Sequence, residues 1–162
     1  MLEKRKVYIY IGIAWTLIFA GMSFYWATGG MVGVRSLGGQ IYKMALEKDP
    51  SLVPIVWLTG FVKLGGCLLL FSLLYPWKND RLEKIFTIVI RIAGAFLFLY
   101  GFLNFITISL AALNILDFDL SSYATMWRLI FWEPFWMLGG ILYWMSVKNT
   151  NGNQESKYER TG

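Results

Sequence analysis

The chain has 162 residues, of which 57% are hydrophobic, 18% aromatic and 15% charged, and its net charge is +5. Because about a quarter of the residues in an ordinary soluble domain are charged, this composition argues against a soluble enzyme and predicts one membrane domain. Histidine is absent and Cys67 is the single cysteine, which excludes an intrachain disulfide, a histidine-based zinc site and a Ser-His-Asp triad. We expect no metal, no cofactor and no catalytic residues.

Four apolar runs are long enough to cross a bilayer, at about residues 7–27, 53–75, 85–113 and 126–147. The first is longer than the core of a signal peptide and no A-x-A site closes it, which predicts an anchor rather than a cleaved signal. The third exceeds what the hydrocarbon core requires, so we expect it to tilt or protrude. The predicted fold is all-α, a polytopic bundle of four transmembrane helices in one domain, residues 1–147.

The loop between the first two runs contains two different segments. Residues 28–39 are glycine-rich and too flexible for a regular element unless they are packed. In residues 40–48, Ile41, Met44 and Ala45 have helical spacing. This spacing predicts a short extracytoplasmic amphipathic helix that lies on the membrane surface.

Polar residues mark the starts of the later helices. Asp49-Pro50 is expected to open the second helix, since Asp caps free N–H groups and Pro suits the first turn. Asn79-Asp80-Arg81-Leu82-Glu83 is an acidic variant of the capping box before the third helix. The linker 114–125 contains serines that are able to cap the fourth helix. The tail 148–162 is polar and predicts a disordered cytoplasmic segment.

Basic residues in the flanks of the runs are distributed unequally between the two sides of the membrane. One side has nine, namely Lys4, Arg5, Lys6, Lys78, Arg81, Lys84, Lys148, Lys157 and Arg160, and the other has Arg35, Lys43 and Lys48. This asymmetry predicts that both termini are cytoplasmic. Because basic residues in such flanks contact anionic lipid, the expected partner is the lipid bilayer and not nucleic acid.

Ionisable residues inside the predicted spans are few. Lys63 lies about ten residues into the second helix, close to the midplane of the bilayer. Glu133 lies about seven residues into the fourth helix from its outer end. Both are expected to face inward, because an unpaired charge at the bilayer centre costs about 2.5 kcal/mol or more. The simplest arrangement is a buried pair of Lys63 with Glu133, in which Asn104 and a hydroxyl of Ser23, Tyr25 or Tyr100 complete the hydrogen bonds.

Two interpretations of this pair remain open. It either fixes the register of the helices or lines an outward-facing cavity in which Glu133 binds a cation or proton and Lys63 binds an anionic head group. In the second interpretation the ligand-binding residues are Tyr25, Trp26, Lys63, Asn104, Glu133 and Trp136. Pro134 follows Glu133 and is expected to kink the last helix, which opens a pocket or only shapes the bundle.

Small and aromatic residues predict where the helices approach one another. The small residues are Gly60, Gly65, Gly66, Gly94, Ala95, Gly101, Gly139 and Gly140. Such residues let backbones come close, which favours helix association in lipid. Trp15, Trp132 and Trp136 lie away from the interfaces and either line an apolar pocket or fill the bundle.

Two motifs resemble those of a known family. Tyr25-Trp26-Ala27-Thr28-Gly29-Gly30 follows the first run, and Trp132-Glu133-Pro134-Phe135-Trp136-Met137-Leu138-Gly139-Gly140 lies in the last. Over about residues 10–145 the chain resembles a group of small bacterial four-helix membrane proteins described only as a domain of unknown function. The resemblance implies the fold, a membrane location and a bacterial source, and it implies no activity or ligand.

The sequence leaves several functions open. The favoured hypothesis is a non-enzymatic protein that binds a small molecule or lipid in an outward-facing polar pocket. The alternatives are an accessory subunit that packs against another membrane protein or a second copy of itself, and a small proton- or cation-coupled transporter that uses Glu133. An enzyme has the least support, because no recognised catalytic spacing is present.

Overall fold

The computed structural model describes residues 2–77, 79–117 and 120–148, with the backbone alone described at positions 2 and 3. This part of the chain contains helices and no strand, which confirms the all-α prediction. The helices are α1 (Leu2–Ala27), α2 (Val34–Leu37), α3 (Gly39–Leu46), α4 (Leu52–Ser72), α5 (Asp80–Ala112), α6 (Ser122–Trp127) and α7 (Glu133–Ser146), and a π-helical turn, Arg128–Trp132, joins α6 to α7. The tail predicted to be disordered lies, beyond Lys148, outside the described residues.

Three helices, α1, α4 and α5, are long and apolar enough to cross a membrane. The last predicted span corresponds to α6, the π-helical turn and α7, which have 6, 5 and 14 residues. None of these pieces is by itself as long as a span. The membrane character of the chain therefore rests on three helices, and a fourth crossing stays a prediction.

The helix starts agree in part with the expected caps. Ser121 caps α6, since its hydroxyl accepts a hydrogen bond from the Ala124 N–H at 3.2 Å. The side chain of Asn79 accepts from the Arg81 N–H at 3.0 Å, so α5 begins at Asp80. The expectation that Asp49 opens the second helix is wrong, because α4 begins three residues later, at Leu52.

Asp49 instead forms a turn with Ser51. Its Oδ1 atom accepts hydrogen bonds from the Ser51 hydroxyl at 2.7 Å and from the Ser51 N–H at 2.9 Å. These bonds favour the charged carboxylate and hold the pKa of Asp49 below its usual value of 3.8. The turn ends the loop between α3 and α4.

The glycine-rich stretch is packed, so it is not an irregular loop. It contains α2, in which Val34 and Ser36 are buried. Gly33, Gly38 and Gly39 have φ angles of 81°, 64° and 57°, a left-handed backbone that glycine adopts without a steric penalty. The predicted amphipathic helix follows as α3, and none of its residues is buried.

The long helices pack in two main pairs. α1 packs along α4, α5 packs along α7, and α1 also contacts α7, whereas α4 contacts α5 only slightly. At the α5–α7 interface the backbones approach closely, because a Cβ built at Gly140 would lie 2.6 Å from the Gly94 carbonyl oxygen. The prediction that small residues mark close helix contacts fails at Gly65, where an added Cβ would meet no atom within 4 Å.

Two arginines join the helices at the end opposite α2 and α3. Arg5 Nε donates a hydrogen bond to the Ser146 carbonyl at 3.0 Å, and Arg91 Nη2 donates to the Val147 carbonyl at 3.3 Å. Carbonyls at a helix C-terminus have no partner within the helix, so α1 and α5 supply donors to the end of α7. The start of α1 and the end of α7 therefore lie at the same end of the molecule.

Candidate functional site

The site is centred on an ion pair between Arg128 and Glu133. Arg128 Nε donates to Glu133 Oε1 at 2.8 Å, and Arg128 Nη2 lies 2.7 Å from the same oxygen. Glu133 is 1% exposed. Arg128 Nη2 also donates to Asn104 Oδ1 at 3.3 Å, which connects the pair to α5. A charge-assisted hydrogen bond of this kind holds both side chains in one arrangement.

The expected pair of Lys63 with Glu133 is wrong. Lys63 Nζ donates to Ser23 Oγ at 2.6 Å and lies 5.6 Å from the centre of the Trp136 ring and 5.8 Å from that of Phe19. The amine is therefore held by a hydroxyl on α1 and by the faces of two aromatic rings, where a cation is attracted to the ring electrons. Arg128 takes the carboxylate because it reaches Glu133 from the same helical region.

The π-helical turn is what brings Arg128 and Glu133 together. Residues five apart in an α-helix point about 140° away from each other, since each turn has 3.6 residues. Here the Glu133 N–H donates to the Arg128 carbonyl, the i to i−5 bond of a π-helix, which places the two residues one above the other. Pro134 follows the turn; it has no N–H for the Ile130 carbonyl, so a regular α-helix would leave that group without its usual donor. A π-helical turn thus occupies the position where a kink was expected.

A cavity of about 300 Å³ adjoins the ion pair. Its wall consists of residues from the α2–α3 segment, from α5 and from the α6–α7 region. These residues are Leu37, Gly38, Gly39, Gln40, Ile41, Lys43, Tyr100, Leu120, Arg128, Trp132, Glu133 and Trp136. The volume is at the lower end of the range for ligand pockets, about 300–1,000 Å³, and suits a small molecule or a head group.

Two contacts fix the α2–α3 segment over this cavity. The Trp132 indole N–H donates to Ser36 Oγ at 2.9 Å, and both side chains are buried. Gly38 packs against Ala124, so closely that a Cβ at Gly38 would lie 2.5 Å from the Ala124 side chain. The segment thus forms one wall of the cavity by direct attachment to the α6–α7 region.

The six predicted ligand-binding residues do not form one pocket. Glu133 and Trp136 line the cavity, and Asn104 contacts it only through Arg128. Lys63 lies over Trp136 and is not a lining residue. The remaining two, Tyr25 and Trp26, support the glycine-rich segment.

Trp26 and Tyr25 hold the residues that follow α1. The Trp26 indole N–H donates to the Val32 carbonyl at 2.8 Å, and the Tyr25 hydroxyl accepts from the Val32 N–H at 3.5 Å. The Tyr25 ring lies directly against Gly30, where any side chain would collide with it. Trp26 also lines a second cavity of about 500 Å³ between α1, α3 and α4. Both residues therefore hold the loop that follows α1, and they are not among the residues that line the cavity at the ion pair.

One atom of the ion pair lacks a partner. Glu133 Oε2 is buried and accepts no hydrogen bond from any residue of the described chain. Both Arg128 nitrogens that contact the carboxylate, Nε and Nη2, lie against Oε1, so the second oxygen retains its full capacity to accept. A buried acceptor left without a donor costs about 1–3 kcal/mol and more when charged, so a donor brought to this atom by a ligand would be strongly favoured.

Sequence reasoning missed Arg128 and Lys43 as wall residues, and it named Tyr100 only as one of the hydroxyls able to complete the hydrogen bonds of the expected pair. Arg128 was not considered as a partner, because the partner of Glu133 was assigned by depth in the membrane rather than by distance along the helix. The available signal was Pro134, because a proline one residue after Glu133 disturbs the helical repeat on which the assignment depended. Lys43 lies on α3, and its approach to the last helix requires tertiary packing that no local pattern encodes.

Comparison with known proteins assigns the chain to a family. No curated protein and no solved structure matches it. The model of the DUF3995 family, described as a protein of unknown function, matches residues 16–143, which include the ion pair and the whole cavity wall. This match agrees with the resemblance that the two motifs indicated. The chain belongs to the DUF3995 family of proteins of unknown function.

Proposed function

We propose that the chain crosses a bacterial cytoplasmic membrane four times, with both termini in the cytoplasm. Three spans are α1, α4 and α5, and α6, the π-helical turn and α7 together supply the fourth. The excess of Lys and Arg at the end where α1 begins and α7 ends supports this orientation. In this arrangement α2 and α3 lie outside, and the cavity opens toward the extracytoplasmic side.

Cysteine labelling of whole cells tests this topology. In a C67A background, the E47C variant places a thiol just after α3 and the K84C variant places one near the start of α5. A membrane-impermeant maleimide should label E47C in intact cells and K84C only after the membrane is permeabilised. Labelling of both variants in intact cells, or of K84C alone, contradicts the proposed orientation.

We propose further that the protein is a non-enzymatic receptor for a small molecule or a lipid head group, which it binds in the cavity beside Arg128 and Glu133. The observation that carries this function is the buried Glu133 Oε2 atom, which has no donor within the described chain although Glu133 lines a ligand-sized cavity. Arg–carboxylate pairs that are bidentate use both carboxylate oxygens, and this pair uses one. The free acceptor therefore serves a donor that the described part of the chain does not supply.

The composition of the wall supports binding. Three aromatic side chains, Tyr100, Trp132 and Trp136, face a cavity that also contains the backbone of Gly38 and Gly39. Apolar and aromatic walls with a few fixed polar groups are typical of ligand sites, in which the polar groups give orientation. The α2–α3 part of the wall is held in place, because the Trp132–Ser36 hydrogen bond attaches this segment to the region of the last helix.

Ligand-dependent thermal stability tests this function. The purified protein in detergent is heated with the lipid fraction and with the aqueous fraction of a bacterial cell extract. One of these fractions should raise the melting temperature of the wild type. E133Q should lose the shift, and E47Q, which changes an exposed carboxylate at the end of α3, should keep it.

A second variant covers the case in which E133Q is poorly folded. Gln40 is exposed and lines the cavity, so Q40W fills the space and leaves both residues of the ion pair unchanged. It should fold and should lose the response to the active fraction. Equal stabilisation of the wild type, E133Q and Q40W would place the ligand elsewhere and contradict the proposal.

A further inference from the structure

We infer that the ligand of this cavity is a small zwitterion, a molecule with an ammonium group and an acidic group separated by a few atoms. This inference rests on the proposed function and names its substrate class. It follows from the kinds of groups that the cavity wall presents and from the charges beside them.

The ammonium group of the ligand donates to Glu133 Oε2. This oxygen is a buried, charged acceptor with no donor in the described chain. An ammonium supplies up to three N–H donors and a positive charge, so it matches the oxygen better than a hydroxyl or an amide does. Because the oxygen is closed off from solvent, the ligand reaches it only when the side chains of the wall shift slightly.

The acidic group of the ligand binds beside Arg128 and Lys43. The bonds that Arg128 makes to Glu133 and Asn104 use Nε and Nη2, and Nη1 takes no part in them. Lys43 contributes a second positive charge to the same wall from α3. A carboxylate or phosphate close to these groups is favoured by both charges, and a guanidinium suits such planar or forked acceptors.

Charge excludes the simpler ligands. The charged residues of the described wall are Lys43, Arg128 and Glu133. A metal ion or simple amine at Glu133 Oε2 would lie beside the Arg128 guanidinium and would leave its Nη1 unused, and a simple anion would leave Glu133 Oε2 without a donor. A zwitterion satisfies both sides at once, and a cavity of about 300 Å³ accommodates a head group of the ethanolamine phosphate kind.

Two sets of probes test the ligand class. In lipid nanodiscs we compare phosphatidylethanolamine, a zwitterion, with phosphatidylglycerol, an anion, by counting the lipids retained in native mass spectrometry. In detergent we compare ethanolamine phosphate with inorganic phosphate and with ethanolamine by thermal shift. Retention of the diacyl lipid alone identifies a membrane lipid as the source, and stabilisation by ethanolamine phosphate identifies a soluble compound.

The zwitterionic probe should bind at least about tenfold more tightly than its anionic or cationic counterpart, because each charge-assisted hydrogen bond gives a difference of this size. E133Q should remove the preference, and E47Q should not. K43A changes a residue outside the ion pair and should weaken binding of the zwitterion several-fold. This variant tests the ligand class if E133Q does not fold.

The two proposals fail in different ways. If phosphatidylglycerol or inorganic phosphate binds as well as the zwitterion and binding still requires Glu133, the cavity is a ligand site but the zwitterion is the wrong class. If no probe and no extract fraction binds in a manner that depends on Glu133 or Lys43, both proposals are overturned.

Discussion

Arg128 and Glu133 form a buried ion pair across the single π-helical turn of the described chain. The side chain of Arg128 is 19% exposed and that of Glu133 is 2% exposed. Nε and Nη2 of Arg128 both contact one carboxylate oxygen, and the other oxygen has no partner within the described residues. The same local irregularity therefore pairs two charges and leaves one strong acceptor beside the cavity.

The ion pair is expected to be strongly coupled. Replacing Arg128 by Met or Glu133 by Gln should each lower the free energy of unfolding by about 3–5 kcal/mol, because each change leaves a buried polar group or charge without its partner. The double variant R128M/E133Q should cost less than the sum of the two single changes. The unfolding free energies are measured by denaturant titration in mixed micelles.

Additive costs in this cycle would show that the two side chains do not interact, which contradicts the geometry. E47Q serves as the control for a carboxylate change, since Glu47 is exposed. It should change the free energy of unfolding by less than about 0.5 kcal/mol.

Lys63 is expected to behave differently from Arg128. Its amine bonds to Ser23 and has no carboxylate within the 4.0 Å limit of an ion pair in the described chain. K63M removes a charge from an apolar region and leaves only one hydroxyl without its donor, so stability should be unchanged or higher. A loss of about 3 kcal/mol or more in the same titration would instead indicate a carboxylate partner for Lys63.

The contrast between these two cations shows how far the sequence could predict the site. The apolar runs predicted α1, α4 and α5. The cost of a charge exposed to lipid predicted that Glu133 would face the interior of the bundle. The partner of Glu133 was predicted wrongly because an α-helical repeat places Arg128 on another face. The π-helical turn changes that repeat, and it depends on Pro134 and on tertiary packing together. The wall formed by α3 also could not be predicted, since it arises from contacts between segments far apart in the sequence.

Ser36 is expected to control the attachment of the cavity wall. S36A removes the acceptor of the buried Trp132 N–H and should lower the free energy of unfolding by about 1–3 kcal/mol. T59A is the matched control, because the Thr59 hydroxyl is exposed and donates to a carbonyl in its own helix. Hydrogen exchange should increase in α2 and α3 of S36A and should be unchanged in T59A. Equal exchange in both variants would mean that the bond does not hold the segment.

The turn before α4 should depend on pH through Asp49. Its pKa is held below 3.8 by the Ser51 hydroxyl and N–H, so the stabilisation is present above pH 3.8 and is lost as the pH falls through the lower folded value. NMR titration of the Asp49 carboxyl should give a pKa below 3.8 in the wild type and a value closer to 3.8 in S51A. An unchanged pKa in S51A would rule out the hydroxyl as the cause.

The α5–α7 interface should tolerate no side chain at its closest point. A Cβ at Gly140 would lie 2.6 Å from both the Gly94 carbonyl oxygen and the Phe98 backbone nitrogen, and these backbone atoms are unable to rotate away. G140A should therefore separate the helices and lower the free energy of unfolding by about 1–3 kcal/mol, as overpacking does in other cores. G65A is the matched control, since a Cβ there meets no atom within 4 Å and alanine favours a helix by about 0.5–1 kcal/mol. It should leave stability unchanged or raise it, so a similar loss in both variants would mean that contact at Gly140 is not the cause.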